Sequence, residues 1–229
     1  VLAVIYRRKN AMKKLCGYDI IEIDCEKSTE CEYWDWALSA GHYSFGLAND
    51  DLHYPDRSSR IAVRCSFLCT PSAGYDDIRR TLLDGCYYSM RVPDYGRGDW
   101  ETKYTMNKDL PYVMDIGMKG DTIYMSVSEK ADSIKVTGQD HMTLALAEGT
   151  DMVEYKMKAD DPYARITAYF SDGEVIYSNP FARYDSSLCD GPYIEKTHDV
   201  NIFMTMMYNL LLALMSVCMV ALLIKTIRK

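Results

Sequence analysis

The sequence predicts an α/β portion, then an all-β portion, then one C-terminal transmembrane helix, and three observations carry that expectation. Residues 18–85 alternate short apolar runs with helical spacings of three and four. Residues 111–184 carry short alternating runs divided by Gly120, Gly138, Gly149 and Asp172-Gly173, the pattern of a β-sandwich or barrel. Residues 202–224 contain no charged side chain.

In chain order, Tyr18-Asp19-Ile20-Ile21-Glu22-Ile23-Asp24 reads as a short strand. Trp34, Ala37 and Leu38 recur at helical steps across 30–40, and Gly41 stands where a helix end wants positive φ. Residues 44–49 form a second strand, 50–60 a polar loop at its carboxyl end, and 61–69 a further β-rich run. Tyr75, Ile78, Leu82 and Leu83 mark an amphipathic helix stopped by Gly85. Strands are then expected at 121–128, 133–138, 141–147, 152–158, 163–170 and 174–178. The change of pattern places a boundary near residue 110, within Asn107-Lys108-Asp109-Leu110-Pro111. The expected organisation is a basic segment (1–17), an α/β portion (18–110), a β-sandwich domain (111–184), a juxtamembrane linker (185–201), the span (202–224) and a basic tail (225–229).

At 1.5 Å per residue the uncharged segment reaches about 34 Å, enough for a hydrocarbon core of roughly 30 Å. Leu210, Leu211, Leu212, Leu214, Val217, Val220, Leu222 and Leu223 cover every helical face, so no polar stripe remains to turn toward water. The lipid bilayer is therefore the expected partner, with a single pass. Lys196 precedes the span, whereas Lys225, Arg228 and Lys229 follow it, which favours a cytoplasmic C-terminus and an extracytoplasmic body. Either the chain is truncated, with Val1-Leu2-Ala3-Val4-Ile5 followed by Arg7-Arg8-Lys9 as the stub of something earlier, or it inserts tail-first with the body cytosolic.

Apolar residues make up 48% of 229, and 19 tyrosines are spread along the chain, a composition that folds. The net charge of −7 includes Arg7, Arg8, Lys9, Lys13 and Lys14 at one end and Lys225, Arg228 and Lys229 at the other, so the body between is more acidic still. Such a body repels phosphate backbones and excludes nucleic acid as a partner; an ordinary solvated acidic face is the bland account of the same charges. The protein partner is left unspecified. Eight cysteines include no C-x-x-C pair, and Cys218 lies in the span. The scattered remainder reads as reduced core thiols rather than a disulfide framework.

Asn49-Asp50-Asp51-Leu52-His53 follows a strand, where α/β folds present ligands. Asp51 and His53 are two residues apart, and a carboxylate with an imidazole is half a ligand set for zinc, manganese or iron. A loop histidine capped by its own aspartate is the plainer alternative. No Ser-His-Asp set, phosphate-binding Gly loop or cofactor fingerprint is present, and Gly96-Arg97-Gly98 reads as a turn.

Several stretches together resemble the later part of the PHP (polymerase and histidinol phosphatase) metallohydrolases. They are Tyr18-Asp19-Ile20-Ile21-Glu22-Ile23, Trp34-Asp35 before Leu38 and Gly41, Gly46-Leu47-Ala48 leading to Asp50-Asp51-Leu52-His53, and Gly85-Cys86-Tyr87-Tyr88-Ser89. Pro162-Tyr163-Ala164-Arg165-Ile166 to Tyr177-Ser178-Asn179-Pro180-Phe181 is similar to the small β-domain that ends one branch of that family. The resemblance implies an incomplete, distorted β/α barrel portion and a divalent transition metal that activates water against a phosphoester substrate. By the same resemblance Asp51 and His53 are metal ligands, and Glu22 is a buried structural or supporting carboxylate. The family's early H-x-H is absent: His42, His53, His141 and His198 are the only histidines, with His42 expected at a helix end, His141 on a β-domain strand and His198 beside the membrane. A hydrolytic metal needs several ligands plus an open position, so catalysis by this chain alone is not expected. The alternative is a non-catalytic, membrane-tethered scaffold.

Overall fold

A computed structural model of the chain describes residues 18–24, 30–50, 63–92, 105, 109–183 and 201–227. It divides into two units, residues 1–195 and 196–229.

In the first unit, β1 (Ile20–Asp24) and β2 (Phe45–Ala48) pair in parallel, with α1 (Glu30–Ser39) between them in sequence. Trp34, Ala37 and Leu38 are buried as their spacing predicts, and Gly41 ends the helix at φ +87°. Gly46 is required by close approach. A Cβ there would meet Ile23 Cδ1 at 2.8 Å and Trp34 Cη2 at 2.9 Å. The indole Nε1–H of Trp34 donates to the Ser44 carbonyl at 2.9 Å, so its one polar atom is satisfied inside the core.

The second sheet has eight strands. β3 (Arg64–Leu68), β4 (Tyr87–Arg91), β5 (Val113–Lys119), β6 (Thr122–Thr137), β7 (Thr143–Lys156), β8 (Tyr163–Tyr169), β9 (Val175–Tyr177) and β10 (Phe181–Ala182) run along the path β3-β4-β9-β8-β6-β5, with β10 on β8 and β7 on β6. Every ladder within it is antiparallel among the described residues. β4 is thus joined to β9 across residue 110, and among the described residues no barrel closes. The helix predicted before Gly85 is α2 (Tyr75–Leu83), and Gly85 follows it at φ +67°.

Two pairs of predicted strands are single strands. The runs 121–128 and 133–138 are both β6, and 141–147 and 152–158 are both β7. The polar stretch at 129–132 marks an irregularity in the ladder, not a turn: pairing passes from Ser126↔Met152 to Ala131↔Thr150, leaving extra residues on β6. Gly149, expected as a turn, lies inside β7 at φ +60°, opposite that irregularity, where a residue without a Cβ lets the strand bend. Strands β4 and β5 are additional to the predicted set.

The main core gathers Met90, Ile123, Met125, Ile134, Val136, Ile166 and Ile176 from β4, β6, β8 and β9. A second core sets Ile23, Trp34 and Leu38 against Tyr163, Val175 and Tyr177, which fixes the parallel pair to the larger sheet.

The second unit is α3 (Ile202–Ile227), 26 residues long and apolar enough to cross a membrane. It runs three residues beyond the predicted span, through Lys225. Asn201 caps it by accepting the Met204 N–H at 3.0 Å. Ser216 and Thr226 donate to the carbonyls of Leu212 and Leu222 at 2.9 and 2.8 Å, so both hydroxyls are satisfied within the helix.

Candidate functional site

The carboxyl end of the parallel pair collects charge. Asp24, the last residue of β1, is 1% exposed, and its carboxylate is fully engaged. Oδ1 accepts Arg64 Nε–H at 2.7 Å; Oδ2 accepts Arg91 Nε–H and the Tyr177 hydroxyl, each at 2.8 Å. Arg91 also donates through Nη2 to the Tyr177 oxygen at 2.8 Å. Burial works against charge on Arg91, yet Tyr177 and Asp24 together raise its pKa. Burial likewise raises Tyr177, with Cys31 and Asp24 adding to the effect, so its hydroxyl stays a donor.

Asp50, just past β2, holds the neighbouring backbone. Its Oδ1 accepts the N–H groups of Val63 and Arg64 at 3.1 and 2.8 Å, and the Val92 N–H donates to the Val63 carbonyl at 2.7 Å. The chain therefore leaves toward residues 51–62 and 93–104 from the same end of the fold as Asp24. Asp51 and His53 lie in the first of those segments, outside the described residues. Glu22, expected as a buried carboxylate, is only half-buried, because it precedes the strand's two buried residues; Asp24 takes the buried position instead.

A second ionic cluster ties α1 to the β-strands. Asp35 accepts Arg165 Nε–H at 2.7 Å on Oδ1, and Arg165 Nη2 and His141 Nδ1 on Oδ2, the latter at 3.1 Å. Burial alone would raise the Asp35 pKa; the hydrogen bonds from Arg165 and His141 outweigh it and hold the carboxyl below its usual range. The guanidinium lies 5.1 Å from the Trp34 ring centre and donates to Thr167 Oγ1 at 2.9 Å. Tyr163 donates to the Gly138 carbonyl at 2.8 Å. His141 belongs to a 3₁₀ turn, Gln139–His141, rather than to a strand: it takes φ 63° beside Asp140 at φ 52°, a tight reversal that carries the imidazole to Asp35.

Chemically, the first cluster sets two guanidiniums against the Asp24 carboxylate, with the Asp50 carboxylate on the backbone beside Arg64. Those four charges balance, and the guanidiniums are the groups there that suit an anionic oxygen. The cluster does not suit a divalent metal, since Asp24 has both oxygens engaged by cationic or hydroxyl donors, and no three His, Cys, Asp or Glu side chains converge among the described residues. Asp24, Asp35, Arg64, Arg91 and Arg165 carry no sequence spacing that announces them. The available signal was a buried position in an apolar strand or helix occupied by a carboxylate, which demands a partner.

No family model and no curated protein matches this chain. Among solved structures it is similar to a two-domain protein containing a predicted PHP-like metal-dependent phosphoesterase from Bacteroides vulgatus, at 13% identity and a TM-score of 0.29. The likeness covers 78% of this chain and 55% of that one, so the chain spans about half the length of that protein.

Proposed function

We propose that this chain is a membrane-anchored, PHP-like member of the metal-dependent phosphoesterases that binds a phosphoester but does not hydrolyse it alone. The observation that carries the reading is the placing of the Arg64 and Arg91 guanidiniums, held by Asp24, at the strand ends that precede the Asp51–His53 segment. Residues 18–110 are then the PHP-like portion and 111–184 the β-domain, packed through a shared sheet. Asp51 and His53 are two ligands for zinc, manganese or iron, completed by ligands from a further segment or another chain. α3 crosses the bilayer with its basic end in the cytoplasm.

Metal analysis with a generic phosphoester assay tests this. The present chain is expected to hold no stoichiometric transition metal and to hydrolyse nothing. If the coding sequence continues upstream with further ligands, the longer chain is expected to bind the metal and to hydrolyse the ester, and His53→Ala there should cut metal content and rate by orders of magnitude. Stoichiometric metal in the present chain, or an extended His53→Ala chain with full metal and rate, would refute the assignment. A non-catalytic membrane-tethered scaffold is the second reading, favoured by the complete engagement of Asp24. It predicts that the extended chain, too, is metal-free.

A further inference from the structure

The β3–β4 ladder pairs Leu68 with Tyr87, and one step beyond it the Cys69 N–H donates to the Cys86 carbonyl at 3.0 Å. The two cysteines are therefore direct cross-strand neighbours. Opposed residues in an antiparallel pair project to the same face, and in a hydrogen-bonded pair the Cα atoms stand about 5.5 Å apart, inside the window a disulfide spans. The pair two steps inward confirms the shared face, because Phe67 and Tyr88 stack at 5.0 Å between ring centres. Both cysteines are free thiols and both are exposed. They line a cavity of about 440 Å³ together with Val113, Ile116 and Phe181, so a small thiol reagent has room to approach.

Cys31 and Cys65, the other described thiols of this unit, differ. Burial raises Cys31 to about 12, and it raises Cys65, with a contribution from Asp50, to about 11. Such thiols are protonated at neutral pH and poor nucleophiles. Cys69 and Cys86 also flank α2, which is short and largely exposed and begins at Gly74 without a side-chain cap. A covalent link between them would close the segment carrying that helix into a loop.

We propose that Cys69 and Cys86 are a redox-modification site that forms an intramolecular cross-strand disulfide with a small disulfide oxidant such as oxidised glutathione. The thiolate of one cysteine attacks a sulfur of the oxidant, breaks its S–S bond and releases one thiol. The thiolate of the other attacks the resulting mixed disulfide at the protein sulfur and releases the second thiol. Two protein thiols give up two electrons and two protons, and one oxidant molecule becomes two thiols. The buried thiols take no part.

The test is oxidation of the full chain in detergent micelles with oxidised glutathione, followed by alkylation and peptide mapping. The expected product is one linked peptide pair joining Cys69 to Cys86, with two fewer free thiols, reversed by dithiothreitol. In Cys69→Ser the reaction should stop at a glutathione adduct on Cys86, and Cys86→Ser should trap the adduct on Cys69. Alkylation of both cysteines after oxidation, stable adducts on both in the unsubstituted chain, or linkage of either to any other cysteine would overturn the proposal.

Discussion

Removing Asp35 should cost far more than removing its partner, although both delete the same ion pair. Asp35 is 2% exposed and Arg165 is 6% exposed. Asp35→Ala strands a guanidinium that cannot lose its proton, facing the Trp34 ring with only Thr167 Oγ1 still accepting from it. Breaking a buried pair in this way costs about 3–5 kcal/mol. Arg165→Met leaves a carboxyl that keeps His141 and can also neutralise itself by binding a proton, while a methionine of similar length still covers the indole. Its cost should be about 1–3 kcal/mol, the range for a lost hydrogen-bond partner. With a urea slope of about 2 kcal/mol per M, Asp35→Ala moves the unfolding midpoint down by roughly 1.5–2.5 M. The assay is urea unfolding of the full chain in micelles, followed by tryptophan fluorescence, since Trp34 lies against the guanidinium. Equal losses for the two variants, or a larger loss for Arg165→Met, would refute the argument that an uncompensated cation is the costly species.

Acid should act through the same carboxyl. Its folded-state pKa lies below the ordinary value of 3.8, so its contribution to stability is complete above that value and disappears as pH falls through the lower, folded one. Unfolding midpoints taken from pH 6 downward should therefore drop steeply below about pH 4. Asp35→Asn, less stable throughout, should show a shallower acid slope; identical slopes would exclude Asp35 as the acid-sensitive group. For α3, the paired substitution Leu214→Arg and Val217→Arg places two cations near the helix centre, each costing about 2.5–3.5 kcal/mol on insertion scales. The chain should then leave membranes in a carbonate wash, and its continued sedimentation with them would argue against a spanning helix.

What the sequence made legible was local. Apolar spacing located α1, α2, β1, β2 and β8, and Gly41 and Gly85 marked helix ends because each takes positive φ. The lack of charge from 202 to 224 located α3. Long-range features escaped the pattern. A strand that changes partners midway, as β6 does from β5 to β8, carries polar residues at its irregularity and so reads as two strands with a turn. Cys69 and Cys86 read as core thiols because their exposure depends on a ladder end that periodicity does not reveal. The ionic clusters were illegible for the same reason: Asp24 and Asp35 acquire meaning only through arginines on strands distant in sequence. The metal-ligand reading of Asp51 and His53 rests on spacing and resemblance, since both lie outside the described residues.

That distance governs when the protein is able to fold. Asp24 and Tyr177 are 153 positions apart, and Asp35 and Arg165 are 130 apart. At about 5–20 residues per second, a ribosome needs roughly 8–30 s between making Asp24 and making Tyr177. For most of that interval the parallel pair lacks its second core and Asp35 lacks Arg165, whereas Arg64 and Arg91 emerge before the hydroxyl that completes their arrangement around Asp24. The β1–α1–β2 unit is thus a waiting segment during synthesis, dependent on whatever shields nascent chains until the last strands arrive.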